Sequence, residues 1–261
     1  MHPLVNTALK AARKAGDIML QSLDRLDTIN PASKGLRDFV TDIDKRAERE
    51  IIYILQKTYP DHGIIAEESG EHQANSDSVW IIDPLDGTHN YLRGFPHFCV
   101  SIGFRHKGKL EHGLVYDPIR QELFTASRGS GARLNDRRIR VSNTLHLENA
   151  LIGTGFPTHP DHLTAQLDCF KKLLPHVADI RCSGSAALDL CYVAAGRLDA
   201  FFESHLNIWD IAAGSIMVKE AGGLVGDWQG EEKHLEKGAI VAATSKILQP
   251  LLSLIYQKSA L

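Results

Sequence analysis

Trp80-Ile81-Ile82-Asp83-Pro84-Leu85-Asp86-Gly87-Thr88 is the stretch from which the rest of the chain is best read. An apolar strand, Val79 to Ile82, delivers two carboxylates, and Gly87-Thr88 follows where a helix can begin. The Asp83-Pro84 step is expected to break the strand, so that Asp83, the carbonyl of Leu85 and Asp86 can converge on one point. Hard cations take oxygen ligands of this kind, and Mg²⁺ usually keeps positions free for water and substrate phosphate. Gly87 and Thr88 would present free backbone N–H groups at a helix N-terminus, which suits an anion. Taken alone, the same residues also read as an Asx-type turn with solvated acids.

Acids elsewhere bear on that choice. Glu67-Glu68-Ser69-Gly70 follows a second short apolar strand, Gly63 to Ala66, and Asp38 to Asp44 is an acid-rich turn opening a helix. Glu203 follows Phe201-Phe202, and Trp209-Asp210 starts another helix. Singly these are N-caps or solvated charges. Together they suit one acidic crevice, whose like charges would repel strongly without cations.

Around these motifs the chain alternates in texture. Leu4, Ala8, Ala11, Ala12, Ala15, Ile18, Met19 and Leu23 form one helical stripe, and Asp24 to Asp38 reads as a loop. Thr41 or Asp42 is expected to cap a second helix carrying Ile43, Ala47, Ile51, Ile54 and Leu55 inward. From Cys99 to Val141 short strands with tight turns imply an antiparallel meander. Beyond it, helices over Asp161 to Leu174, Ser185 to Ala195, Trp209 to Ala221 and Ser245 to Tyr256 enclose strands at Ala200 to Phe202 and Ala239 to Ala243. Gly222-Gly223 sits where a helix C-terminus wants a left-handed residue. The expectation is one compact unit over 1–261, with a 1–142 half carrying the main acidic motifs and a 143–261 half carrying a second sheet with helices.

Composition narrows the class. The 261 residues are 43% hydrophobic and 23% charged, with 29 basic and 32 acidic side chains for a net charge of −3. That balance argues against a general nucleic-acid coat or a polybasic membrane surface. No apolar run reaches the roughly 18 residues of a membrane span, and the first residues show no export signal. Cys99, Cys169, Cys182 and Cys191 lack metal or disulfide spacing and read as buried free thiols of a cytoplasmic protein.

The motifs in this order, with Gly184-Ser185-Ala186-Ala187, Trp209 to Gly214, and the opening His2-Pro3 and Ala11 to Gly16, resemble the inositol monophosphatase family, most of all its bacterial members, over essentially the whole chain. The resemblance implies an αβαβα five-layer sandwich and a Mg²⁺-dependent phosphomonoesterase acting on inositol 1-phosphate, sensitive to Li⁺ and commonly homodimeric. It implies that Glu67, Asp83 and the Leu85 carbonyl hold a first Mg²⁺, that Asp83, Asp86 and Asp210 hold a second, and that Glu67 helps hold a third. Thr88 would orient the attacking water with support from Asp44, and the Gly87 and Thr88 amides would hold the phosphate. Asp86, Ala186 through its backbone, Glu203 and Asp210 would contact the polyol hydroxyls, and Lys34 lies where the family has a phosphate-approaching lysine.

Two positions depart from the family pattern. His89 stands where threonine usually follows the D-G-T triplet, with Tyr91 two residues on, and reads as a tolerated neighbour of the phosphate site rather than a proton donor. His205 stands where glycine is usual and is expected to narrow or re-tune the pocket beside Glu203. His159-Pro160-Asp161-His162 reads as a loop leading into a helix, because no further ligand set follows. Arg137-Arg138-Ile139-Arg140 reads as a charged hairpin strand.

Three alternatives stand beside the inositol ester. A haloacid-dehalogenase-type phosphatase spaces its two aspartates differently, and Pro84 here separates Asp83 from Asp86. A same-fold phosphatase for fructose 1,6-bisphosphate or 3′-phosphoadenosine nucleotides would share the motifs. The resemblance also implies a binding role with the transcription antitermination machinery, for which the basic hairpin at Arg137 and the segment at Arg181 are candidate contacts.

Overall fold

The computed structural model describes residues 1–26, 35–73, 75–157 and 160–256. Lys34 therefore lies outside the described residues, as does His159, while Pro160 to His162, expected as a loop leading into a helix, already belong to the first turn of the helix Pro160–Leu173. The first half runs α1 (Pro3–Leu26), α2 (Gly35–Thr58), β1 (Gly63–Ala66), β2 (Gly70–His72), β3 (Ser78–Asp86), α3 (Thr88–Leu92), β4 (Cys99–His106), β5 (Lys109–Asp117), β6 (Glu122–Ser127), β7 (Gly131–Leu134) and β8 (Arg137–Arg138). The second runs β9 (Leu151–Thr154), α4 (Pro160–Leu173), β10 (Asp179–Arg181), α5 (Ala186–Ala194), β11 (Ala200–Glu203), α6 (Ile208–Glu220), β12 (Leu224–Gly226), α7 (His234–Lys237), β13 (Ile240–Ala243) and α8 (Ser245–Ile255).

The strands make two sheets, ordered β2-β1-β3-β4-β5-β6-β7-β8 and β10-β9-β11-β13-β12. From β3 onward the first is the expected antiparallel meander, while β1 joins β3 in parallel. Helices α1 and α2 cover one face of this sheet through Ala8, Ala11, Ala12, Ala15, Met19, Ile43, Ala47 and Ile51, all buried. Helices α4 and α8 cover the far face of the second sheet through Cys169, Leu173, Ile247 and Leu251. Between the sheets lie α5 and α6, giving the αβαβα sandwich that the resemblance implies.

Sequence explains who goes where. The stripe on α1 is apolar on one side only, as befits an outer layer. By contrast, Ile211 to Val218 of α6 are buried without interruption, and so is nearly all of α5. A helix apolar all round has to sit between two apolar faces. Close approach is built in at Gly113 of β5, where a Cβ would come within 2.6 Å of Ile216 Cγ2 and 2.7 Å of the Ala213 carbonyl.

Several local expectations are corrected. Both ends of the Asp24 to Asp38 stretch are helical, α1 continuing to Leu26 and α2 beginning at Gly35, and residues 27–34 lie outside the described residues. Thr41 and Asp42 consequently lie inside α2 rather than at its start. Pro84 does not end β3; the ladder with β4 slips between Asp83 and Asp86, a bulge that absorbs the missing N–H. Cys182 is exposed, and the other three thiols are buried and free. No described helix is long and apolar enough to cross a membrane.

Because α5 and α6 supply the cover for the inner face of the first sheet, a fragment of residues 1–142 would expose Val115, Phe124 and Ala126 to water. That fragment is expected to be insoluble or to lack cooperative unfolding by circular dichroism; a cooperative, monomeric fragment would show that each half folds alone.

Candidate active site

The site forms where the first sheet meets the N-termini of α5 and α6. Because β1 and β3 run in parallel, Glu67 leaves β1 beside the end of β3, and its N–H donates to the Ile82 carbonyl at 3.2 Å. That register sets Glu67 next to the end of β3 that carries Asp83. Asp83 is 2% exposed, and its Oδ1 accepts from the Leu85 N–H at 3.0 Å, which shapes the bulge. Thr88 Oγ1 donates to the Leu85 carbonyl at 3.1 Å. Gly87 precedes α3 with φ of 94°, a left-handed turn that suits glycine, and a Cβ there would meet the His97 carbonyl at 2.9 Å.

Asp86 points the other way, into the central helices. Its Oδ2 accepts from Ser185 Oγ at 2.6 Å and from the Ala187 N–H at 2.8 Å, at the start of α5. Ser185 is also the N-cap of α5, accepting from the Leu188 N–H. Asp210, in the first turn of α6, accepts from the Asn207 N–H at 2.7 Å. Asn90 of α3 donates to the carbonyls of His97 and Ser183 at 2.8 and 2.9 Å, tying α3 to the approach to α5.

Burial and mutual repulsion drive these acids toward their protonated forms. Burial, then the charges of Glu67, Asp86 and Asp210, holds Asp83 well above the usual carboxylate range. Burial raises Glu67 to about 7, and burial with the charge of Asp86 raises Asp210 to about 8. Burial raises Asp86 too, against the opposing hydrogen bonds from Ser185 and Ala187. Asp44, on the inner face of α2, is raised to about 8 by burial and then by Glu67, and its Oδ1 has no hydrogen-bond partner among the described residues. Glu203, at the end of β11, is raised to about 8 by burial and then by Asp189, Asp86 and Asp210.

The structure thus gathers Asp44, Glu67, Asp83, Asp86, Glu203 and Asp210 into one region, with Leu85, Gly87, Thr88 and Ala186 along it. Among the described residues, no three His, Cys, Asp or Glu side chains close on a ready-made coordination sphere. The donors are nonetheless all hard oxygens, and their crowding is the kind that a divalent cation relieves, so they fit Mg²⁺.

Sequence reading missed four contributors. Ser185 holds Asp86; Glu48, 2% exposed, accepts from the Glu68 N–H at 2.8 Å; Asn90 bridges α3; and Asp189, on α5, is buried beside Glu203. Only the cap preference of Ser185 before an apolar run was a usable local signal. Of the departures, His89 is exposed on α3, and His205 adopts φ of 62°, which explains why glycine suits that position. Tyr91 is buried and donates to the Met19 carbonyl at 2.8 Å, pinning α3 to α1.

Each raised acid holds its proton more tightly in the folded chain than in the unfolded one. Stability is therefore greatest below about pH 4 on this account, and is lost as pH rises toward about 8. In EDTA the melting temperature is expected to fall between pH 5 and pH 8, and added Mg²⁺ to flatten that slope. A slope that Mg²⁺ leaves unchanged would argue against cation relief of these acids.

Comparison with known proteins identifies the family. The sequence pattern of the inositol monophosphatase family matches residues 1–260. A Pseudomonas aeruginosa protein named Nus factor SuhB is 51% identical over 261 residues, covering 98% of this chain and 96% of its own. The crystal structure of extragenic suppressor protein suhB from Bartonella henselae is 40% identical, with a TM-score of 0.89 and complete coverage of both chains. The inositol monophosphatase of Anabaena (Nostoc) sp. PCC 7120 is 37% identical, with a TM-score of 0.85 over 96% of this chain and 94% of its own. With the layered fold and the acidic site already in place, the chain belongs to the inositol monophosphatase family.

Proposed function

We propose that this chain is a Mg²⁺-dependent phosphomonoesterase that hydrolyses inositol 1-phosphate to inositol and phosphate, as a cytoplasmic homodimer. The observation that carries the reading is the convergence of acids at one strand end, where the Glu67 N–H donates to the Ile82 carbonyl beside Asp83, Ser185 and the Ala187 N–H hold Asp86, and Gly87 turns the chain into α3. Glu67, Asp83 and the Leu85 carbonyl would hold one cation, Asp83, Asp86 and Asp210 a second, and Glu67 would help to hold a third. When bound, the cations would activate a water and neutralise the departing alkoxide.

The chain's own residues do the positioning. The Thr88 hydroxyl spends its proton on the Leu85 carbonyl, so its oxygen is left to accept from the attacking water and orient it. Asp44, a buried acid on α2, would support this pair. The Gly87 and Thr88 N–H groups would hold the phosphate in line with that water. On the far side, Asp86, Asp210, Glu203 and the Ala186 backbone would receive the polyol hydroxyls, which orients the ester oxygen away from the water.

Phosphate release from inositol 1-phosphate, compared with fructose 1,6-bisphosphate and 3′-phosphoadenosine 5′-phosphate, tests the reading directly. The inositol ester is expected to turn over only with Mg²⁺, and Asp86→Asn is expected to lose several orders of magnitude in rate. Preference for another ester would move the substrate and keep the chemistry, and near-normal turnover by Asp86→Asn would refute the site.

A second reading is favoured by the name of the Pseudomonas relative, Nus factor SuhB. Here the chain would also dock on the transcription antitermination machinery, through exposed surface such as Arg137 and Arg138 of β8 or the Arg181 segment. Retention of RNA polymerase and elongation factors on the tagged protein at physiological salt, undiminished in Asp86→Asn, is the expected result; no retained partner would count against docking.

A further inference from the structure

We infer that Gly155 is a specificity-determining position, because it provides the seat for the Glu203 carboxylate; this rests on the proposed inositol-phosphate reading, in which Glu203 receives a polyol hydroxyl. Gly155 directly follows β9, whose parallel pairing with β11 sets Thr154 opposite Phe202. The two strands are locked just before it, since Thr154 Oγ1 donates to the Phe202 carbonyl at 2.7 Å and accepts from Gln166 Nε2 at 2.8 Å. The next residues along, Gly155 and Glu203, therefore lie side by side at the strand ends. A Cβ built at Gly155 would fall well inside 3.0 Å of both carboxylate oxygens and Cδ of Glu203. The carboxylate thus lies flat against the glycine Cα.

The neighbouring glycine on this strand does something different. A Cβ at Gly153 would press first on Leu198 and Phe201, so that residue serves apolar packing. At Gly155 the obstructed group is the far end of a long side chain, which can move while the strands stay. The backbone there is not left-handed, so alanine can adopt it. An added methyl should therefore leave the fold in place and drive the Glu203 carboxylate off its seat.

Gly155→Ala is the test. The crystal structure of the variant is expected to show the Glu203 carboxylate displaced by about 1 Å, the shift needed to restore a normal contact, with β9 and β11 unmoved. KM for inositol 1-phosphate should rise about tenfold with kcat within about twofold, while KM for p-nitrophenyl phosphate, which has no polyol, should not change. In a Glu203→Ala background, adding Gly155→Ala should raise KM no further, because nothing remains to be displaced. A carboxylate that stays in place would overturn the seating. An equal KM rise for both esters, no rise for either, or the same rise without Glu203 would overturn the specificity role. A wild-type protein that leaves inositol 1-phosphate intact would overturn the proposed substrate and with it that role, while the crystallographic displacement would still judge the seating.

Discussion

Everything in this molecule hangs on one shared helical layer. Helices α5 and α6 are buried along nearly their whole length, so each has to be covered by a sheet on both faces, and neither sheet is complete without them. The consequence for chemistry is geometric. Sandwiching these helices brings their N-termini to the end of β3, so that Asp86 meets Ser185 and the Ala187 N–H, and Asp210 arrives beside it.

The acids so assembled are costly to keep charged. Asp44, Glu67, Asp83, Asp86, Glu203 and Asp210 come from the outer helices, both sheets and the central layer, and each is raised by burial before any neighbour acts. Such strain concentrates where a protein works rather than where it is merely stable. An oxygen-only donor set of this kind suits a hard divalent cation. The glycines at 87 and 155 do the complementary task of clearing space, one for the turn into α3 and one for the Glu203 carboxylate.

Much of this was legible in one dimension because it is local. The apolar strand that carries Asp83, the Gly87-Thr88 turn into α3, the stripes on α1 and α2 and the meander all follow from periodicity and turn chemistry within a few residues. Misreadings arose where the local signal was outvoted. Pro84 looked like a strand breaker, but the ladder tolerated it as a bulge because β1 and β4 hold both sides of β3. Thr41 and Asp42 looked like caps, but α2 had already begun at Gly35. His205 departed from the family's glycine, and its left-handed backbone shows what that glycine was accommodating.

The amino-acid sequence by itself determined the layer to which each helix belongs and the residue types available for chemistry, since periodicity and side-chain identity are properties of short stretches. Only the tertiary structure decided which acids face one another, that Ser185 and not a solvent molecule satisfies Asp86, that Glu48 secures the Glu68 amide, and that Gly155 lies under Glu203. Those relations join residues up to about a hundred positions apart, as with Asp86 and Ala187. They depend on strand register and on how closely two layers pack, and neither is encoded within any single window of the chain.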